Sequence, residues 1–319
     1  MSEIASNGTR ISTPPAIKTA EVIALDPRAV RARRRPLAIL AVYAYELAFA
    51  LLIATPLHAW ANRTWGGHPD GDAVFYRPGG HELLSWLGDG DTELPIVVRI
   101  TIVLSFLAFV AGQVAHGALV ASLTTTRGPT GSAPRAVTSL RAGLSSFFPL
   151  MALGIVFGAI QLLWLALGFF ASSAADHGLV QKYGDARSFQ VRLLVLGFFV
   201  LLTLVTGVIA DLGRVGIARS VALSEEPTRL AVRLREGIAD ALRTTRHAGG
   251  RAVVAWAWRA LIAFALIAFG AFLNVRVGGA GGWVLFVLFV MHQLIVFTRT
   301  ALRASWLANA VRLVETSRE

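Results

Sequence analysis

The sequence predicts an all-α, polytopic membrane protein with six transmembrane helices. Hydrophobic residues make up 55% of its 319 residues and charged residues 15%, whereas soluble domains average about 45–50% and about 25%. A helix of about 20 apolar residues spans the hydrocarbon core of a bilayer. Six apolar runs approach or exceed that length, and they cover residues 37–60, 96–123, 147–172, 192–213, 252–274 and 282–299.

The distribution of basic residues predicts that both termini face the cytoplasm (N-in, C-in). With six spans, 22 of the 30 Lys and Arg residues lie on the side of the termini and seven lie on the opposite side. Lys and Arg are enriched in the cytoplasmic loops of membrane proteins. The formal net charge of +11 therefore indicates contact with anionic lipid headgroups on that side, and we expect no nucleic-acid partner.

The first 36 residues differ in composition from the rest of the chain. Residues 1–36 are largely polar, contain Pro14-Pro15 and end in an arginine cluster at 31–35, so we expect a disordered cytoplasmic tail. Residues 37–319 then form a single six-helix transmembrane domain. A cleavable signal peptide is the alternative, since Ala59-Trp60-Ala61 has the small-x-small form of a cleavage site. The first apolar run, however, exceeds the roughly 7–15 residues of a signal sequence.

Strongly polar residues occur inside the apolar runs, where each opposes insertion. Glu46 lies 11 residues after Arg35, and His116 lies 11 residues before Arg127, which places both about 16 Å deep. Their shared depth predicts an intramembrane polar pair of Glu46 with His116, or with Gln113 almost one turn farther out. Such a pair either relays protons or solutes in a small transporter or channel, or packs helices together.

A second pair is predicted between Asp211 and Arg259. Arg259 lies eight residues past Arg251, and its side chain leans toward the cytoplasmic end of its helix. Asp211 lies three residues before Arg214, near the interface, so a long arginine reaches it at little cost and forms a structural ion pair. Interhelical hydrogen bonds are the expected role of the other polar residues in the runs, Gln161, His292 and Gln293.

Residues 227–248 are typical of an amphipathic helix lying at the cytoplasmic interface. Its apolar stripe consists of Leu230, Leu234, Ile238 and Leu242. Four arginines lie off that stripe, and they are Arg229, Arg233, Arg243 and Arg246. Gly249-Gly250 favour the end of the helix. We expect the arginines to contact anionic headgroups, each contributing about 1 kcal/mol, and a protein partner for this face is the alternative.

A weak internal repeat relates the second run to the fourth. Residues 112–116 align with 207–211 at an offset of 95, and residues 140–143 align with 234–237 after a one-residue deletion. Each unit would consist of a helix that enters the cytoplasm, an amphipathic segment, and a helix that returns. Both copies run in the same direction, so the repeat would be parallel.

Sequence motifs for catalysis are absent. The chain has no cysteine, and it contains no HExxH, GxSxG, phosphate-binding glycine loop or dinucleotide fingerprint. No polar stretch is long enough to build a separate catalytic domain. We therefore expect no catalytic residue, no bound metal and no cofactor.

Two short motifs resemble known membrane proteins. Leu84-Ser85-Trp86-Leu87 predicts a short interfacial helix outside, and the residues from Ala210 to Arg214 end the fourth run ahead of an arginine-rich link. They resemble uncharacterised six-span inner-membrane proteins of bacteria and, more distantly, the membrane domain of glycerophosphodiester phosphodiesterases. The resemblance implies the bacterial cytoplasmic membrane, but the catalytic barrel of those enzymes has no counterpart here. We expect a non-enzymatic scaffold or accessory component that organises lipids or partner proteins.

Overall fold

Seven α-helices and one small sheet make up the residues that the computed structural model describes, which are 22–26, 29–65, 94–127, 132–223, 229–277 and 282–318. The helices are α1 (Pro36–Trp65), α2 (Leu94–Thr124), α3 (Ala136–Ser145), α4 (Phe147–Tyr183), α5 (Asp185–Leu223), α6 (Leu230–Val277) and α7 (Trp283–Thr316). The antiparallel strands are β1 (Val22–Ala24) and β2 (Thr125–Arg127), and a 3-10 turn covers Ala32–Arg34.

Six of the described helices are long and apolar enough to cross a membrane, namely α1, α2, α4, α5, α6 and α7. The six predicted runs coincide with these helices, which confirms the predicted fold class. The 10-residue α3 is too short to span, since about 20 residues are needed. The protein is an all-α, multi-pass integral membrane protein.

The helices extend well beyond the apolar runs. The last run was predicted to end at residue 299, but α7 continues without a break to Thr316. Its 34 residues measure about 51 Å, whereas the hydrocarbon core is about 30 Å thick. The C-terminal half of α7 therefore projects beyond the apolar layer as regular helix.

The hydrophobic core lies at this projecting end of the bundle. The largest fully buried side chains in α2, α5 and α7 are Leu119, Leu123, Leu212, Ile217, Val311 and Val314. By contrast, only 6–22% of the most apolar window of each spanning helix is buried. The helices thus pack tightly at one end, and their apolar halves face outward, where lipid surrounds a membrane protein. Because α5 contacts α2, α4, α6 and α7, it occupies the centre of the packed end.

Helix α6 contains the predicted amphipathic segment. Its backbone departs from helical geometry at Ala248, where φ is −139° and ψ is 18°, directly before the predicted terminator Gly249-Gly250. The segment from Leu230 to this kink is one helix, and the following segment is the fifth span. The predicted start at Pro227 lies outside the described residues.

The polypeptide just before α1 is folded, which corrects part of the predicted disordered tail, residues 1–36. Strand β1 pairs with β2 in the register Val22 to Arg127. Buried Arg35 donates from Nε to the Ser122 carbonyl over 2.7 Å and from Nη2 to the Thr125 carbonyl over 3.1 Å. The first carbonyl lies in the last turn of α2 and the second belongs to the residue directly after it, where a cation is favourable. Burial, with the nearby charge of Arg34, lowers the pKa of Arg35.

Two glycines at equivalent repeat positions bring α3 and the amphipathic part of α6 against the spanning helices. A Cβ atom on Gly143 of α3 would lie 2.6 Å from the Val114 carbonyl oxygen and 2.9 Å from the Ala118 nitrogen. A Cβ atom on Gly237 of α6 would lie 2.5 Å from Ile217 Cγ1 and 3.1 Å from the Gly213 carbonyl oxygen. Ala118 and Gly213 are separated by the repeat offset of 95. This shared packing supports the predicted parallel repeat.

Candidate functional site

Asp211 of α5 forms the centre of a buried polar cluster where α2, α5 and α7 meet. The side chain is held by two donors, Arg214 Nη1 at 2.9 Å and Trp306 Nε1 at 3.0 Å. Asp211 is only 7% exposed, so both bonds are shielded from water and are strengthened by the low local dielectric. The carboxylate thus ties α5 to α7.

The predicted ion pair of Asp211 with Arg259 is wrong. Arg259 Nε donates to Ser305 Oγ over 3.2 Å, and Nη1 donates to the carbonyl of Ala255 in its own helix. Its guanidinium group also lies 4.3 Å from the ring centroid of Trp258, a favourable cation–π distance. The prediction failed because it paired residues by depth alone and considered no partner from the chain after residue 299. Helix α7 instead continues there and supplies the hydroxyl and indole partners.

His116 of α2 faces the same cluster, with one ring nitrogen unsatisfied. Its Nδ1 lies 2.7 Å from the Gly112 carbonyl oxygen. Because a carbonyl oxygen only accepts, Nδ1 carries the proton and Nε2 is available as an acceptor in the neutral ring. Nε2 is buried and has no hydrogen-bond partner among the described atoms. The neighbouring Gln113 donates to the Phe109 carbonyl of its own helix over 3.1 Å.

A small cavity joins these side chains. His116, Gln113, Asp211, Arg214 and Arg303 line it, so two guanidinium groups and one carboxylate face one imidazole. Its volume is about 10 Å³, which is room for about one water molecule. Such a site can fix the relative positions of three helices and can accommodate one water molecule. His116 and Asp211 occupy equivalent positions of the two repeats, so the cavity lies where the repeats meet.

Glu46 of α1 does not pair with His116 or Gln113, which corrects the other predicted pair. Its Oε2 accepts a hydrogen bond from Thr300 Oγ1 of α7 over 2.6 Å. Depth matching gave no rotation about the helix axis. The adjacent Tyr45, whose hydroxyl donates to the Ala108 carbonyl, occupies the face toward α2. Successive helical residues are about 100° apart, so Glu46 points toward α7.

Two of the remaining intramembrane polar residues link helices, as predicted. Gln161 Nε2 of α4 donates to the Thr203 carbonyl of α5 over 3.1 Å, and Tyr43 Oη of α1 donates to Gln293 Oε1 of α7 over 2.8 Å. His292 Nδ1 bonds instead to the Leu288 carbonyl of its own helix over 2.7 Å. Amide side chains therefore bridge neighbouring spans, in agreement with their expected role.

The four arginines predicted to contact headgroups, which lie in or just before the amphipathic part of α6, divide into two groups. Arg229, Arg243 and Arg246 are exposed, whereas Arg233 is buried. The buried face of this segment consists of small or polar residues, Arg233, Gly237, Asp240, Ala241 and Thr244. Three of the four arginines predicted to contact headgroups are thus available at the surface. Arg233 is not, because it is buried, and this corrects the prediction for that residue. The predicted apolar stripe is split, since Leu230 and Leu242 are exposed while Leu234 and Ile238 pack against a small core cluster.

Two ion pairs that the sequence analysis missed fasten the C-terminal end of α7. Arg219 of α5 pairs with Glu315, and Arg318 donates to both carboxylate oxygens of Asp240 in α6. The hydrogen bonds with Asp240 raise the pKa of Arg318. The partners are separated by 96 and 78 residues, so no local spacing could reveal them.

Comparisons of the chain with protein-family models, with curated proteins and with solved structures gave no match. Among the described side chains, no group of three or more His, Asp or Glu residues could hold a metal ion. The described polar side chains form hydrogen bonds and charge pairs at one end of a membrane bundle. An arginine-bearing helix lies on its surface.

Proposed function

We propose that the protein is a non-enzymatic scaffold of the bacterial cytoplasmic membrane that organises anionic lipids at the inner face. The observation that carries this proposal is the exposure of Arg229, Arg243 and Arg246 on one rigidly held helix. Each arginine near an anionic surface contributes about 1 kcal/mol of attraction. Partner proteins that dock on the same face remain part of the proposal.

The packing of α6 supports this role, because it presents the arginines from a fixed base. Gly237 allows close approach to α5, and Asp240 is held by Arg318. A helix anchored on one face and basic on another concentrates anionic headgroups beside it. The resemblance to six-span bacterial proteins and to phosphodiesterase membrane domains agrees with membrane embedding without catalysis.

Transport through a Glu46–His116 relay has less support. Glu46 bonds to Thr300 and His116 bonds to Gly112, so the two groups that would exchange a proton are each engaged elsewhere. The cavity at His116 has room for about one water molecule. Both features suit helix packing better than passage of a solute.

Replacing Arg229, Arg243 and Arg246 together with glutamine is expected to lower the preference for anionic lipid at least five-fold, since three attractive charges are removed. The measurement is electron spin resonance of spin-labelled phosphatidylglycerol and phosphatidylcholine around the full-length protein in liposomes. The ratio of immobilised to mobile label gives the preference.

A matched control removes the same charge at the opposite end of the spans. The triple replacement of Arg99, Arg187 and Arg276, which are exposed on three different helices, is expected to retain at least half of the preference. Equal losses in both triple variants would contradict a specific role of α6. A proton flux through the liposomes that disappears in Glu46→Gln would favour transport instead.

A further inference from the structure

A groove runs between α7 and the short segment that precedes α1. Its volume is about 560 Å³, which falls in the range of about 300–1,000 Å³ typical of small-molecule sites. We propose that this groove binds the phosphate headgroup of one anionic phospholipid. The groove is separate from the surface arginines of α6 and from the cavity at Asp211. The proposal rests on the proposed function only in that the ligand is the same class of lipid.

The groove has a basic rim and an apolar floor. Arg31 and Arg33 lie on the side of the 3-10 turn, and Arg312 lies on the side of α7. Its described lining contains no Asp or Glu. Apolar surface comes from half-buried Ala32 and Ala301, and the buried residues Val30, Ile39 and Ala308 lie in the wall of the groove. A ligand that complements this lining carries a negative charge at one end and hydrocarbon at the other.

Arg312 has bonding capacity that the described residues do not use. Its Nε atom is buried and has no hydrogen-bond partner among them. A buried N–H group without an acceptor is energetically unfavourable. Arg312 lines the groove, and guanidinium groups bind phosphate in paired, charge-assisted hydrogen bonds.

A fourth cation lies directly behind the groove wall. Ser305 lines the groove, and its hydroxyl accepts from Arg259 Nε over 3.2 Å. The charges of Arg259 and Arg312 act on each other electrostatically. Bringing like charges together is unfavourable, so an anion that enters the groove relieves this repulsion. Charge complementarity thus favours an anionic occupant over a zwitterionic one.

The surroundings of the groove favour a lipid over a free anion. The first turns of α1, which begin beside the groove, expose Leu37 and Leu40 to 79% and 50%. These side chains start the first apolar span. A phosphate held by Arg31, Arg33 and Arg312 would therefore leave its acyl chains along α1, at the boundary between headgroups and hydrocarbon.

The test is titration of the full-length protein in a neutral detergent with dihexanoyl phosphatidylglycerol, read by native mass spectrometry. We expect one lipid to bind saturably, and dihexanoyl phosphatidylcholine to bind at least ten-fold more weakly. Arg312→Gln is expected to weaken phosphatidylglycerol binding about five-fold, which corresponds to one lost arginine contact. Arg299→Gln removes an exposed charge from the same helix outside the groove and is expected to change affinity less than two-fold.

Four outcomes would overturn the proposal. Equal weakening by Arg312→Gln and Arg299→Gln would indicate a diffuse charge effect, and equal binding of the two lipids would remove the role of charge. Inorganic phosphate that binds as tightly as the lipid would indicate a phosphate site instead. If Arg312→Gln does not fold, Arg33→Gln, whose side chain is exposed, replaces it. If the unmodified protein shows no saturable binding of one lipid while its lipid preference in the spin-label experiment is as expected, the groove alone is refuted.

Discussion

Replacing Asp211 with alanine is expected to lower the free energy of unfolding by about 3–5 kcal/mol, the usual cost of removing one partner from a buried ion pair. The substitution leaves the Trp306 indole N–H and the Arg214 guanidinium group without their acceptor. It also removes the only carboxylate among the described residues that line the cavity, so the charges of Arg214 and Arg303 face each other uncompensated.

Thermal unfolding of the purified protein in detergent measures this effect. Asp185→Ala is the matched control, because Asp185 lies in the first turn of the same helix and is exposed. We expect that control to change the unfolding midpoint little. A similar small shift for both variants would show that the Asp211 cluster does not hold α5 to α7.

Replacing Gly143 with alanine is expected to destabilise the protein by about 1–3 kcal/mol, as overpacking of a filled interior does. The new methyl group would lie 2.6 Å from the Val114 carbonyl oxygen and 2.9 Å from the Ala118 nitrogen. Both are backbone atoms of α2, so they cannot rotate away and α3 must shift. A shift of α3 would also disturb Ser146, which lies behind Gly117 in the same interface.

Gly197→Ala is the corresponding control, since its added Cβ would meet nothing within 4 Å. Alanine favours helix more than glycine does, so this variant is expected to unfold at the same or a slightly higher temperature. The two midpoints, measured side by side in the same detergent, should move apart. Equal midpoints would contradict the close packing of α3 on α2.

The six spans and the kinked amphipathic helix could be predicted from the sequence because both are properties of one continuous segment. An apolar run of sufficient length gives a span regardless of what surrounds it. The end of the amphipathic segment at Ala248 was predictable in the same way, because Gly249-Gly250 marks it locally. Charge counting gave an orientation on the same basis.

The partners of the polar side chains could not be predicted, because they depend on the rotation of each helix and on which helices are neighbours. Glu46 and His116 share a depth but face different helices. The end of the apolar run at residue 299 concealed that α7 continues as helix. Trp306, Glu315 and Arg318 therefore entered the packed end without any local signal, and so did the lining of the groove.

Cysteine accessibility tests most directly the claim that the chain crosses the membrane six times with its packed end in the cytoplasm. The chain contains no cysteine, so single replacements can be labelled without background. Asn62 near the end of α1 and Thr316 at the end of α7 are both exposed. With a membrane-impermeant maleimide, Asn62→Cys should react in intact cells, and Thr316→Cys should react only after permeabilisation. Labelling of Thr316→Cys in intact cells would place the packed end outside and contradict the orientation, the headgroup contacts and the groove together.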